Sequence, residues 1–343
     1  MRHIIYENTI LENKMNEMMD TRLNARALMT VDDSLSESAG LRKTVNRYTY
    51  AGKVEQLSRG QANTSKGMVV FISDYYDVKR YQQTFEYNDI DVLQDPYLID
   101  VATAGAAAVM ANQINDEYFA EIEKISNRHA LAGEAFTYND VVDALATLGR
   151  EVESDLFILM SAKARADIRK DPDFVTAKQG EILYTGQFGT ICGIPVIYSK
   201  KVPEGKMILT NKSAVRFFVK KEATLEQDKN IETKTNVVVY ERHGLIALVD
   251  DTSSVIIGPA AEALNLAMTA SAGECQISVG EELAAGHTYR VGIGKKAPLK
   301  GDDISAWPVW DGKAIKASAG TVIMIAECDA DGRCLKCGVA IAS

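Results

Sequence analysis

Three of the five cysteines fall within ten residues, in ECDADGRCLKCG near the C-terminus. Cys328, Cys334 and Cys337 flank an Asp-Gly turn, and Cys275 lies upstream in the same region. Four thiolates are a tetrahedral zinc donor set, so Cys275, Cys328, Cys334 and Cys337 are the candidate metal ligands of the chain. Their spacing is not the paired CxxC with CxxC of a zinc ribbon, and the competing reading is a hairpin that carries reduced thiols. A redox CxxC needs a helix N-terminus to lower its thiol pKa, whereas Cys334 and Cys337 fall on the return strand of a predicted hairpin, so redox catalysis is not expected. Cys192 stands alone, and an odd total does not fit a secreted disulfide framework.

The other residues that could do chemistry form no constellation. His3, His129, His243 and His287 are scattered, with no HExxH and no neighbouring nucleophile motif. RGQANTSKG (Arg59 to Gly67) fails as a phosphate loop, because Ser65 precedes the Lys and Gly67 follows it where Gly and a hydroxyl residue are needed. VGIGKK fails likewise, no GxSxG elbow is present, and no carboxylate pair is singled out. The expectation is a protein without an active site or cofactor.

With 343 residues the chain exceeds the usual size of one core, so two domains are expected. Hydrophobic content of 46% with 25% charged residues is that of a folded chain. Thirty-eight basic against 47 acidic residues give a net charge of -9, which argues against a dedicated nucleic-acid binder. No apolar run is long enough to span a bilayer and no signal peptide follows Met1, so a cytosolic product without a membrane role is expected.

The elements that would have to position any site begin with IIYENTILENKMNEMMDTRLNARAL (Ile4 to Leu28), where apolar residues recur at helical spacing among charges. This predicts an amphipathic helix that needs a partner surface. A polar linker follows. From Thr44 to Tyr87, TVNRYTYAGKV and YDVKRYQQTFEY have strand-like composition around a Gly, Ser and Asn-rich middle, with Tyr48, Tyr50, Tyr75, Tyr76, Tyr81 and Tyr87 among them. So long a hairpin with few aliphatics cannot build its own core, and it must rest on another surface, such as a second chain.

Asp95 and Pro96 open one long predicted helix to about Ile125, with Leu98, Val101, Ala102, Gly105 and Val109 as its first apolar stripe and Ile114, Tyr118, Ile122 and Ile125 as its continuation. Thr137 and Asp140 resemble a capping box ahead of Val141, Val142, Leu145 and Leu148. LFILM (Leu156 to Met160) reads as a buried strand and SAKARADIRK as a short charged helix. Strands EILYT, ICGIPVIYS and KMILT follow, then a helical candidate at Asn211 to Phe218, and then TNVVVYERHGLIALVDD. This is a mixed α+β pattern. From about Pro259 the strand candidates QISVG, HTYRVGIG, KAIKASA, TVIMIAE and CGVAIA predict a small all-β C-terminal domain, with Asp-Gly turns at Asp311-Gly312 and Asp331-Gly332.

This order of elements resembles the major capsid proteins of tailed bacteriophages, the Hong Kong 97-like fold. The residues that carry the resemblance are FTYNDVVDALATL, LFILMSAKARADIRKDPDF, GQFGTICGIPVIYSKKVPEGKMILTNKSAVRFF and NVVVYERHGLIALVDDTSSVI. It implies an N-terminal arm (1–43), an extended hairpin loop over a neighbouring subunit (44–90), the spine helix of a peripheral domain (91–135), an axial domain (136–235) and return strands (236–258), with 259–343 as an added β domain. It makes Tyr48, Tyr50, Tyr76, Tyr81 and Tyr87 candidate inter-subunit contacts. The Gly- and Pro-rich stretch Thr185 to Leu209 becomes turns and packing surface of the axial domain.

The implied function is a virion shell subunit, assembled from pentamers and hexamers in the host bacterial cytoplasm around double-stranded DNA without sequence-specific binding. A separate scaffolding protein and a portal are the implied partners. Some relatives cross-link Lys to Asn; Lys53 and Lys66 lie in the hairpin, but no partner Asn is identifiable. Two alternatives stay open: an encapsulin-like compartment around cargo enzymes, and, from another class, a zinc or thiol enzyme using the C-terminal cysteines.

Overall fold

The computed structural model of the protein describes residues 25–37, 39–52, 54–59, 61–64, 67–150, 153, 155–172, 189–271, 274–293, 296–318 and 320–342. The predicted helix at Ile4 to Leu28, apart from its last four residues, lies outside them, as do EILYT, Lys53 and Lys66. In chain order, a 3-10 turn (Ala25–Leu28) precedes β1 (Thr30–Asp32), β2 (Arg42–Ala51), β3 (Met68–Asp77), β4 (Lys79–Asn88) and helices α1 (Asp89–Gln94) and α2 (Leu98–Ile122). Then come β5 (Arg128–Ala130), α3 (Tyr138–Leu148), β6 (Leu156–Met160), α4 (Ala162–Lys170), β7 (Thr190–Ile191), β8 (Ile194–Tyr198) and β9 (Met207–Asn211). Two long strands, β10 (Val215–Asn230) and β11 (Thr235–Leu248), lead to β12 (Val255–Gly258). The last part holds β13 (Glu262–Ala263), β14 (Leu266–Ser271), β15 (Glu274–Val279), β16 (Thr288–Ile293), β17 (Ile315–Lys316), β18 (Val322–Cys328) and β19 (Cys334–Ile341).

Two compact units result, one from residues 1–124 and 211–250, the other from 125–210 and 251–343. In the first, a four-stranded sheet of order β1-β10-β11-β4 carries α2, and β2 and β3 pair only with each other. The helix buries Ile99, Thr103, Ala106, Ala107, Met110, Ile114, Tyr118 and Ile122, while Val101 and Val109 of the predicted first stripe are exposed. The Ala-rich stretch around Gly105 is apolar all round, so helical periodicity alone does not select its buried side.

Asn211 to Phe218 is not helical: Asn211 Oδ1 accepts from the Ala214 amide in a turn, and β10 follows at Val215. Pairing of β10 with β11 over 13 registered positions, beginning at Val215, overrides the helical reading of Asn211 to Phe218.

In the second unit a six-stranded sheet of order β5-β12-β9-β6-β8-β7 is covered by α3 and α4. Alternate residues Leu156, Ile158 and Met160 of β6, Met207 and Leu209 of β9, and Val255 and Ile257 of β12 meet Val141 and Ala144 of α3 and Ala164 and Ile168 of α4. Helix α3 begins at the predicted capping box, with Thr137 N–H donating to Asp140 Oδ2 at 2.9 Å, and ends at Gly149 in the left-handed conformation. The Gly-Ile-Pro-Val stretch forms the tight β7–β8 hairpin, in which Cys192 (φ 50°) and Gly193 (φ 78°) are both left-handed, as a type I′ turn demands.

None of the described residues beyond Gly258 is helical. Sheets β13-β19-β18-β16 and β14-β15-β17 lie on either side of a core containing Ile277, Ile323 and Ile325. The Asp331-Gly332 turn joins β18 to β19 as expected, whereas Asp311-Gly312 is a bend outside any two-stranded hairpin. Asp302 is buried between two cations of the same unit, 2.8 Å from Arg128 Nε and 2.6 Å from Lys206 Nζ, and also accepts from the Leu299 amide.

Candidate assembly surface

Strands β2 and β3 are rich in aromatic and β-branched residues and run antiparallel in unbroken register from Arg42 opposite Asp77 to Ala51 opposite Met68. Polar pairs lock the register near the base: Arg42 with Asp77 at 2.7 Å, Arg47 with Asp74 at 2.5 Å, and Ser73 Oγ donating to Asn46 at 2.7 Å. The base is tied to the body of its unit. Val45 is buried with Leu35, Phe218 and Leu245, Lys43 lies 4.9 Å above the Phe218 ring, and Tyr76 donates to Glu121 at 3.1 Å. Burial and the Glu121 carboxylate together push the Tyr76 phenol above its ordinary pKa, so it stays a donor.

Beyond Asn46 and Ser73 the ribbon loses that support. Tyr48 faces Phe71 across the strands at 6.2 Å between ring centroids, and Tyr50 faces Val69, so these four side chains share one face. Tyr48 is 65% exposed and Phe71 61%, and Tyr50, Met68, Val69 and Ile72 are exposed too. A run of apolar side chains on a two-stranded ribbon left open to water is the mark of a surface meant to be covered.

The hairpin predicted between Thr44 and Tyr87 is corrected in one respect. Its returning arm is β3, and the stretch KRYQQTFEY is β4, an edge strand of the four-stranded sheet paired with β11. Tyr81 is accordingly 5% exposed, with its phenol donating to Glu117 at 2.7 Å, and Tyr87 accepts from Gln227 at 2.8 Å. Burial first, and Glu117 second, raise the pKa of the Tyr81 phenol. Of the five tyrosine candidates, Tyr48 and Tyr50 lie on the open tip, Tyr76 at the anchored base, and Tyr81 and Tyr87 in the sheet. Met68, Val69, Phe71 and Ile72 were missed because the Gly- and Ser-rich stretch before them reads as loop; the run MVVFI itself was the signal that a strand resumes.

The cysteines do not converge as a four-ligand set. Cys328 and Cys334 are opposed residues of β18 and β19 in a cluster with Ile304, Trp307 and Met324, with Cys337 packed against it. Cys275 belongs to the other cluster, on the Ile323 and Ile325 side of β18. Burial pushes the Cys328 and Cys337 thiols up to about 11 and raises Cys334 further, opposite to what a ligating thiolate requires. Among the described residues no group of three or more His, Cys, Asp or Glu side chains is placed to hold a metal, and no helix is long and apolar enough to cross a membrane.

No protein-family profile matches the sequence. The major capsid protein of Staphylococcus phage phiMR11 is 22% identical over 262 residues, covering 72% of this chain and 91% of that protein. In three dimensions, the capsid protein of cyanophage P-SCSP1u superposes with a TM-score of 0.52 at 13% identity, over 68% of this chain and 86% of its own. The chain has the Hong Kong 97-like capsid fold. The capsid of a native GTA particle (TM-score 0.54, 12% identity, 69% and 90% of the two chains) and a virus-like particle from Pyrococcus furiosus (0.51, 12%, 73% and 98%) are similar in the same way.

Proposed function

We propose that this chain is a major capsid protein, a structural subunit without catalytic activity that assembles as pentamers and hexamers into an icosahedral shell packaging double-stranded DNA. The observation that carries this reading is the β2–β3 ribbon, whose base is fixed to its own unit and whose apolar tip is exposed on a capsid fold. In this reading the ribbon is the extended loop laid on a neighbouring copy and α2 is the spine helix. The six-stranded sheet with α3 and α4 is then the axial domain, and residues 259–343 decorate the shell surface. Net charge of -9 fits a protein that encloses DNA without gripping it base by base. A separate scaffolding protein and a portal are the partners this role calls for, with assembly in the host bacterial cytoplasm and residence in the virion.

Electron microscopy of the expressed chain, with and without a co-expressed scaffolding protein, tests the proposal directly. Closed shells with five- and six-fold capsomers are expected; a chain that stays monomeric in both conditions overturns it. The contents of particles from the native source separate the two shell readings, since a cargo enzyme without nucleic acid points to an encapsulin-like compartment. Stoichiometric zinc in purified protein, lost in Cys334→Ser, would instead revive the metalloprotein reading.

A further inference from the structure

Cys328 ends β18 and Cys334 begins β19, and the register of the hairpin sets the two directly opposite each other. The backbone fixes which kind of opposition this is. The Asp329 amide donates to the Arg333 carbonyl at 3.1 Å, so the neighbouring pair is a hydrogen-bonded one. At Cys334 the peptide groups turn away from β18: the amide donates to the Asp302 carbonyl at 2.8 Å, and the carbonyl accepts from the Gly301 amide at 2.7 Å. Cys328 and Cys334 therefore form a non-hydrogen-bonded pair, the antiparallel position where facing side chains come closest and Cα atoms lie about 4.5 Å apart. A disulfide spans Cα separations of about 4.4–6.8 Å. Both side chains are thiols buried on the Ile304, Trp307 and Met324 side of the sheet. Cys328 Sγ donates to the Ala326 carbonyl at 3.8 Å and Cys334 Sγ to the Lys336 carbonyl at 3.7 Å, weak contacts that a rotation about χ1 gives up. The register shift at Cys328 leaves Leu335 as an extra residue, so Cys337 reaches the same side but stands opposite Ala326.

We infer that Cys328 and Cys334 are a disulfide-forming pair, joined across the hairpin when the chain meets a disulfide oxidant such as glutathione disulfide, with Cys337 left as a thiol. In the exchange one cysteine thiolate attacks a sulfur of glutathione disulfide, forming a mixed disulfide and expelling one glutathione thiolate. The second cysteine thiolate attacks the protein sulfur of that mixed disulfide and expels the other. Two protein thiols thus lose two electrons, one glutathione disulfide becomes two glutathiones, and the two thiol protons end on them. Burial keeps both thiols protonated and out of reach, so the exchange runs through molecules that transiently unfold. The native strands already hold the short loop closed, so the fold favours the bond by the same factor as the bond favours the fold. The inference stands on the geometry of one hairpin and does not depend on the shell reading.

A tryptic map tests it, because Arg333 and Lys336 separate the three cysteines: Cys328 falls on residues 317–333, Cys334 on the tripeptide CLK and Cys337 on CGVAIAS. The full chain is held at pH 8 in one glutathione redox buffer, in urea just below its unfolding transition and, in parallel, well above it. Both samples are then quenched with iodoacetamide, digested and read by mass spectrometry. In the folded sample the expected product is 317–333 linked to CLK, with CGVAIAS alkylated. Its ratio of disulfide to dithiol should exceed that of the unfolded sample by at least about tenfold. A ratio no higher in the folded sample overturns the inference. A folded sample linked mainly through CGVAIAS overturns it too, since Cys337 would then be a member of the pair.

Discussion

Replacing Tyr48 and Phe71 together by serine should leave the subunit folded and prevent its assembly. In the isolated chain the two side chains are mostly solvated, so what is lost on substitution is their mutual contact, 6.2 Å between centroids. A cross-strand pair of this kind contributes up to about 1 kcal/mol, which in a chain of this length lowers Tm by no more than about 4 °C. In the proposed shell the same side chains are buried on assembly, and each would stabilise the contact by roughly 1.5–3 kcal/mol. The pair thus accounts for about 3–6 kcal/mol per ribbon, an association constant weaker by roughly 10² to 10⁴. In the proposed shell that loss would recur at every ribbon. Sedimentation velocity and electron microscopy measure assembly, and thermal unfolding of the unassembled subunit measures the fold. Shells formed at wild-type protein concentration, or a variant whose subunit melts far below the wild type, would refute the argument that the tip is an interface and not part of the subunit core.

Asp302→Ala strands Lys206, whose side chain is 5% exposed, together with Arg128; a loss of about 3–5 kcal/mol in urea unfolding is expected, and one under about 1 kcal/mol would show the pair to be dispensable. Glu241 is pulled down to about 2 from an ordinary 4.5, first by its hydrogen bond from Lys221 and then by that from Arg80. Since its folded pKa lies below the unfolded one, its contribution is present at neutral pH and fades as pH falls from about 4.5 toward 2. The shift caps that contribution near 3 kcal/mol, and solvent around the half-exposed Lys221 and Arg80 reduces it to about 1 kcal/mol. Unfolding of wild type and Glu241→Gln from pH 7 to pH 2.5 should show a gap that closes with acid; a constant gap contradicts the linkage. Thr137→Ala removes the cap of α3 and should cost about 1 kcal/mol, read by chemical denaturation, with Thr137→Ser restoring most of it. Cys328 and Cys334 should resist thiol reagents at pH 8 until the chain unfolds, because both are buried and their pKa values are raised; fast labelling of either in the native protein would contradict this.

The elements legible from sequence were those in which a local pattern and the tertiary environment agree. LFILM is apolar at every position and lies in a sheet buried on both faces, and the Thr137 and Asp140 spacing names its own hydrogen bonds. The misreadings share a cause, which is long-range pairing invisible in a local window. Strand β4 belongs to β11, more than 140 residues away in sequence, and so it was assigned to the nearest tyrosine-rich partner. Asn211 to Phe218 reads as helical until β11 supplies hydrogen-bond partners to β10 from Val215 onward. The four cysteines seemed one set because they share a region, but β18 turns alternate residues to opposite sides and separates Cys275 from Cys328 and Cys334.

The same alternation explains why the ribbon has to look outward. Its ten-residue strands reach about 33 Å, and only the half nearest the body meets side chains of its own unit, through Val45 and Tyr76. Folding the tip back would require a second apolar surface within that unit. Of the described residues, the side of the β10-β11-β4 sheet facing α2 is already filled by Tyr81, Val238 and Tyr240, and the opposite side carries Arg80, Glu226 and Asp228. An apolar face has nowhere to pack there without desolvating those charges. The tip of Tyr48, Tyr50, Val69 and Phe71 is therefore already paired as strands with its apolar area uncovered, so in the proposed shell ordering those strands would not consume the energy of contact.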